Sequence, residues 1–268
     1  MTAFDDLFSI KGKIALVTGG SRGIGEMIAA GFLAKGAKVY ISSRKADVCD
    51  ETAARLAKAY GGECVSLPAD LSQLSGAESL AARLAEREGR LDILVNNAGA
   101  SWGAKLEEFP EVGWDKVMDT NVKGVFFLTQ KLLPLLRAAA EAGEPARVIN
   151  IGSIDGLKTA AFDTFSYGAS KAALHHLTRF MAAHLTKERI IFNAIAPGPF
   201  PTWMLSTGVG FGGQTDGVDW ERVGRGNPSG RVGTAEDIAG LAIFLSSRAG
   251  EYVVGQTIAC DGGAVAAS

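Results

Sequence analysis

Residues 17–25 read VTGGSRGIG, directly after the apolar run KIALV and directly before GEMIAAGFLAKG. The run before has the length and β-branched content of a buried strand, and the segment after has helical spacing and Ala/Leu content. The glycines therefore fall in a strand-to-helix turn, spaced G-x-x-x-G-x-G at Gly19, Gly23 and Gly25. Such a turn lets backbone come close to a ligand, and the helix start offers unpaired N–H groups and a positive dipole end to an anion. This predicts a dinucleotide phosphate site made by Gly19, Ser21, Arg22, Gly23, Ile24 and Gly25.

Outward from this turn the pattern repeats. KVYISS, CVSLPAD, LDILVNNAG, RVINIGS, IIFNAIAPG and QTIACDGG are short strand-like runs, most of them separated by helical segments such as DVCDETAARLAKAYG and AESLAARLAERE. Strands of this kind alternating with longer helices predict βαβ units. The expected fold is α/β: a single Rossmann domain over 1–268, with a doubly wound parallel sheet of about seven strands and helices on both faces. Residues 198–230, rich in Gly and Pro and without periodicity, are expected to form a mobile lid over a substrate.

At 268 residues, with 47% apolar and 21% charged, the chain can bury a large core. A formal charge of −2 gives no electrostatic footprint for nucleic acid. No basic amphipathic segment suggests a membrane surface, and no run approaches the length of a membrane span. The three cysteines, Cys49, Cys64 and Cys260, are far apart and form no C-x-x-C. A reducing compartment is expected, and with acids rather than positive charge near the start, a cytoplasmic protein.

The second strand ends in Ser42, Ser43 and Arg44, where a nicotinamide site selective for an unphosphorylated ribose would carry an acid. A hydroxyl and a guanidinium suit a 2′-phosphate, and Arg22 reaches toward the same region, so NADP(H) is the expected cofactor. In SYGASK, residues 166–171, Tyr167 and Lys171 share a helix face one turn apart. A nearby ammonium favours the phenolate, which makes the pair a candidate proton donor and acceptor. Ser153 ends a strand 14 residues before Tyr167, where its hydroxyl can reach a substrate carbonyl. NNAG at 96–99 ends another strand, at the sheet edge where ligands of open α/β folds bind.

In order, TGGSRGIG (18–25), ADL (69–71), NNAG (96–99), Asn121 in DTNVKG, GS (152–153), YGASK (167–171), APG (196–198) and DGG (261–263) identify the chain by resemblance as a member of the short-chain dehydrogenase/reductase family. The resemblance implies that Tyr167 donates the proton and Ser153 orients the carbonyl. It implies that Lys171 binds the nicotinamide ribose and lowers the Tyr167 pKa, while Asn121 holds a water that relays protons. Asp70 and Leu71 would face the adenine, Asn97, Ala98 and Gly99 would line the cofactor, and Pro197, Gly198 and Thr202 would touch its nicotinamide end. No metal is implied, and a homo-oligomer, a tetramer ahead of a dimer, is.

Within the family, NNAGASWGA, KLLPLLR, YGASKAALHHL and IAPGPFP resemble a bacterial branch of NADPH-dependent 3-ketoacyl reductases tied to rhamnolipid synthesis. The expected activity is reduction of a 3-oxoacyl thioester or similar apolar ketone. Two other readings stand beside it: a dehydrogenase of a sugar, steroid or other secondary alcohol, and a nucleotide-binding sensor without turnover. Trp102, Phe200, Trp203 and Phe211 are candidates for an apolar substrate wall or for ordinary loop packing. The histidines His175, His176 and His184 read as packing or interface residues, since no carboxylate or thiolate stands at ligand spacing.

Overall fold

The computed structural model describes residues 4–160, 162–207 and 218–268. Seven strands form one sheet: β1 (Ile14–Thr18), β2 (Lys38–Ser42), β3 (Cys64–Ser66), β4 (Ile93–Asn96), β5 (Ala146–Ile151), β6 (Ile190–Pro197) and β7 (Thr257–Cys260). Every pairing is parallel and the spatial order is β3-β2-β1-β4-β5-β6-β7. The order reverses between β1 and β4, where Val17 pairs with Val95. Their carboxyl ends diverge into separate crossovers and leave a crevice.

The helices between strands are α1 (Gly23–Ala34), α2 (Ala46–Tyr60), α3 (Leu74–Ala85), α4 (Glu111–Met118), α5 (Gly124–Glu141), α6 (Phe165–Leu185), α7 (Trp203–Thr207), α8 (Trp220–Arg225) and α9 (Ala235–Ser246). Parallel strands must be covered on both faces, and two apolar clusters do this. One joins Val17, Val39, Ile41, Val95 and Ile149 to Ile28, Phe32, Leu56, Ile238 and Leu245 of α1, α2 and α9. The other joins Leu16, Tyr40, Leu94, Val148 and Phe192 to Leu80, Leu84, Leu128, Leu132 and Met181 of α3, α5 and α6. Each fully buried Leu or Ile contributes roughly 1.5–3 kcal/mol relative to exposure.

A chain of amides fixes the centre of the sheet. Asn96 Nδ2 donates to Asn150 Oδ1 at 2.9 Å and to Thr129 Oγ1 at 3.1 Å, and Asn150 Nδ2 donates to Thr178 Oγ1 at 2.9 Å. These buried bonds tie β4 and β5 to α5 and α6, the elements that carry the candidate chemistry. A π turn at Asp119–Lys123 joins α4 to α5, so what reads as one apolar helical stretch in the sequence is offset at Asn121.

The expected lid is described only in part. Its two described arms are not structureless: they contain the short helices α7 and α8, the latter capped by Asp219, whose carboxylate accepts from Arg222 N at 2.8 Å. Phe211 lies outside the described residues.

Candidate active site

At the crevice, Gly19 and Gly23 take φ of +62° and +58°, the left-handed region that disfavours side chains. Gly25 is required for closeness instead: a Cβ there would stand 2.4 Å from both the Gly19 carbonyl and Asn97 Nδ2. Asn97 stitches the turn to β4 by donating from Nδ2 to the carbonyls of Thr18 at 2.9 Å and Gly19 at 3.1 Å. Thr18 Oγ1 accepts from Asn97 N and Ala98 N at 2.9 and 3.0 Å. The Ser21 carbonyl accepts from Thr52 Oγ1 at 3.1 Å, which anchors the turn to α2. The result is a bare backbone cradle at the start of α1.

Arg22 and Arg44 meet beside this cradle. The Arg22 pKa is held down by burial and by the Arg44 charge, and among the described residues neither guanidinium forms an ion pair. Arg22 also stacks on Trp203, with its Cζ 4.1 Å from the ring centre. Ser43 donates to the Lys45 carbonyl at 3.3 Å. Arg44 after β2 and Arg22 in the glycine turn, two neighbouring cations, fit a phosphorylated ribose, and the glycine cradle fits a pyrophosphate.

The other half of the crevice belongs to β5 and α6. Ser153 follows β5 and caps a short 3-10 turn, Ile154–Gly156, by accepting from Asp155 N at 3.1 Å. One of its two lone pairs is thereby occupied, and its hydroxyl also bonds the Tyr167 phenol. Tyr167 and Lys171 occupy the first turns of α6, with Lys171 Nζ 5.5 Å from the Tyr167 ring centre. Lys171 Nζ donates to the Ile151 carbonyl at 2.7 Å.

Burial pushes the Tyr167 phenol up to about 12; Ser153 pulls it down and Asp155 pushes it further up. Burial pulls Lys171 down to about 8, with Asp155 acting against it. Lys171 is held at the end of β5 by its bond to the Ile151 carbonyl.

Asn121, 1% exposed, uses both its amide donors and its oxygen. Its Oδ1 accepts from Ala100 N at 2.8 Å, and its Nδ2 donates to Ala100 O and Ser170 Oγ, both at 2.9 Å. It clamps the loop after NNAG against α6. Asp70 is exposed and turned into its own loop, accepting from Ser72 N and Ser72 Oγ at 3.1 and 2.9 Å, while Leu71 is buried. Gly198 N donates to the Cys260 carbonyl at 3.0 Å just beyond Pro197. Thr202 lies over the glycine turn, 3.3 Å from where a Cβ on Gly23 would be.

Two residues gain a place at the site that their sequence context did not assign, and Trp203, a candidate for the substrate wall, gains a different one. Asp155 is half-buried beside Tyr167 and Lys171, its carboxyl pushed up by burial and held back by Lys158 and Lys171. His175, one turn beyond Lys171 and 3% exposed, wedges under the Ser153 turn: a Cβ on Gly152 would sit 2.0 Å from its Nε2. Trp203 reaches Arg22. The acid two places after Ser153 and the histidine four after Lys171 were visible signals; the Trp203 contact was not. Among the described residues no group of three or more His, Cys, Asp or Glu side chains could hold a metal.

At the start of α6, two residues before Tyr167, Phe165 packs edge-on against Phe109, and Phe109 against Trp114, with ring centres 6.0 and 6.5 Å apart. Lys116 lies 5.1 Å over the Trp102 ring.

A nucleotide cradle at the sheet's reversal, facing a Ser–Tyr–Lys group at the start of a long helix, defines a nicotinamide-dependent oxidoreductase. The chain belongs to the short-chain dehydrogenase/reductase family: a family model described as enoyl-(acyl carrier protein) reductase matches residues 19–265. Among curated relatives, the rhamnolipids biosynthesis 3-oxoacyl-(acyl-carrier-protein) reductase of Pseudomonas aeruginosa is 52% identical over 256 residues, spanning 96% of this chain and 97% of the relative. The solved RhlG/NADP active-site complex of Pseudomonas aeruginosa superposes with a TM-score of 0.90 at 51% identity, covering 98% of this chain and 100% of that one. A gluconate 5-dehydrogenase of Burkholderia cenocepacia, solved in complex with NADP and tartrate, is similar at 32% identity and a TM-score of 0.86, covering 98% and 99%. Among the described residues no helix is long and apolar enough to cross a membrane.

Proposed function

We propose that this protein is an NADPH-dependent carbonyl reductase acting on a 3-oxoacyl thioester or a similarly apolar ketone. The observation that carries this reading is the pair Arg22 and Arg44, held together without an acid, across the crevice from Ser153, Tyr167 and Lys171. NADP(H) is held by the glycine turn with Ser21 and Ile24, by Arg22, Ser43 and Arg44, by the Asp70–Leu71 and Asn97–Gly99 segments, by Tyr167 and Lys171, and by Pro197, Gly198 and Thr202. When bound, the cofactor supplies the hydride.

The chain's own residues supply position and proton. Tyr167, pushed up to about 12, is protonated at neutral pH and delivers its Oη proton to the carbonyl oxygen as negative charge develops there. Ser153, which accepts from Asp155 N, turns its O–H toward that same carbonyl. Lys171, tethered to Ile151, holds the ribose and replenishes the phenol. Asn121, in the π turn and bonded to Ser170 of α6, holds the water that relays protons through Lys171.

The aromatic cluster of Phe109, Trp114 and Phe165, which begins two residues before Tyr167, supports an apolar acyl chain over a polyol. Sugar acids remain the second reading, since the gluconate 5-dehydrogenase shares the scaffold. Residues 1–268 act as one domain with 198–230 as the substrate lid. Exposed Phe126 and Phe180 on α5 and α6 support a homo-oligomer. The family resemblance puts a tetramer ahead of a dimer, and the cysteine usage fits the cytoplasm.

The test is oxidation of NADPH against NADH by purified protein with a 3-oxoacyl thioester, a cyclic diketone, a quinone and a keto sugar acid. Turnover of the thioester with NADPH is expected. Turnover of the sugar acid alone would replace the acyl substrate with the second reading.

A further inference from the structure

We infer that Trp203 is a positioning residue for cofactor discrimination: by stacking on Arg22 it holds that guanidinium beside Arg44, ready for a 2′-phosphate. The inference rests on the NADPH reading above and deepens it.

Two arginines brought together without a carboxylate repel each other. The Arg44 charge lowers the Arg22 pKa, and no ion pair among the described residues relieves either side chain. Left to itself, a long side chain with this repulsion and free rotamers would swing into solvent. The Trp203 ring supplies the opposing force, since the Arg22 Cζ stands 4.1 Å from its centre, well within cation–π range. A stacked guanidinium spends its face on the ring and keeps its in-plane N–H donors, the ones that bind phosphate oxygens. Stacking therefore orders Arg22 without consuming its hydrogen bonds.

The backbone keeps the ring in place. Trp203 follows Thr202, which lies against Gly23 so closely that a Cβ on that glycine would come within 3.3 Å of Thr202 Cγ2. Trp203 opens α7 and is 52% exposed, so its loss opens no cavity in either apolar cluster. Its contribution is specific to the phosphorylated cofactor because Arg22 has a target only there.

The experiment is isothermal titration of the wild type, Trp203→Ala and Trp203→Phe with NADPH, NADH, 2′,5′-ADP and 5′-AMP. A cation–π contact of this kind corresponds to ~5- to 10-fold in affinity. Trp203→Ala is expected to weaken NADPH and 2′,5′-ADP by that factor and to leave NADH and 5′-AMP unchanged, with Phe restoring most of the loss. Equal weakening of phosphorylated and unphosphorylated ligands, or no change in any, overturns the role of Trp203. A wild type that binds 2′,5′-ADP no better than 5′-AMP overturns the NADPH reading itself, and is seen before any variant is compared.

Discussion

Lys171 is tethered to Ile151: its Nζ donates to that backbone carbonyl at 2.7 Å, which holds the ammonium at the end of β5 and 5.5 Å from the Tyr167 ring centre. The lysine is fixed by the sheet itself, and the phenol above it is the group left to move a proton. Tyr167→Phe is therefore expected to lower kcat by about a hundred- to ten-thousand-fold while NADPH affinity stays within about threefold. Steady-state turnover beside a nucleotide titration checks this, and retained turnover would remove Tyr167 as the donor.

Asp155 pushes both Tyr167 and Lys171 up. Removing its charge in Asp155→Asn lets the phenol lose its proton at lower pH. Reduction requires the protonated phenol, so the alkaline limb of the kcat profile should move to lower pH. Lys158 and Lys171 face the same carboxyl, and Ser153 faces the phenol; all are kept in this variant. An unmoved alkaline limb would mean that Tyr167 does not set it.

Arg44→Asp replaces one of two adjacent cations with an acid. Charge-assisted hydrogen bonds contribute about 1.5–3 kcal/mol, so KM for NADPH should rise ~10- to 100-fold while KM for NADH falls or holds. Measured cofactor ratios decide the matter; an unchanged ratio would place the 2′-phosphate elsewhere.

His175 is pulled down to about 4, first by burial and then by the Lys171 charge; the Gly156 carbonyl acts weakly the other way, and neither ring nitrogen makes a well-formed hydrogen bond. The fold thus holds a neutral ring whose unfolded pKa is about 6.5. Its contribution is complete above that value and is lost as the pH falls toward 4, up to ~3 kcal/mol in total. Urea midpoints between pH 7 and 4 should drop for the wild type and drop less for His175→Leu. The same acid slope in both proteins would assign it to the carboxylates instead.

Much of this was legible in the chain. Each of the seven strand-like runs forms a strand, because a parallel sheet covered on both faces writes itself as short β-branched runs. Ser153, Tyr167 and Lys171 were legible because strand end and helix face fix where such residues point. The π turn at Asn121 was not, since one extra residue per turn barely disturbs helical periodicity. The burial that pushes the Tyr167 phenol up and Lys171 down was not legible, since sequence does not display it. The Arg22–Trp203 stack joins residues about two thirds of the chain apart, and only the path of the lid's first arm brings them together.

The seam where the sheet reverses has one more consequence, for how the molecule is made. The nucleotide cradle exists only after β4 has docked beside β1 and Asn97 has bonded the Thr18 and Gly19 carbonyls. Strands β1 to β3 alone could collapse early, but they would present an unbraced turn with no floor. Nucleotide capture therefore reports that the two halves have joined, and by mass action it draws newly synthesised chains toward that joined state.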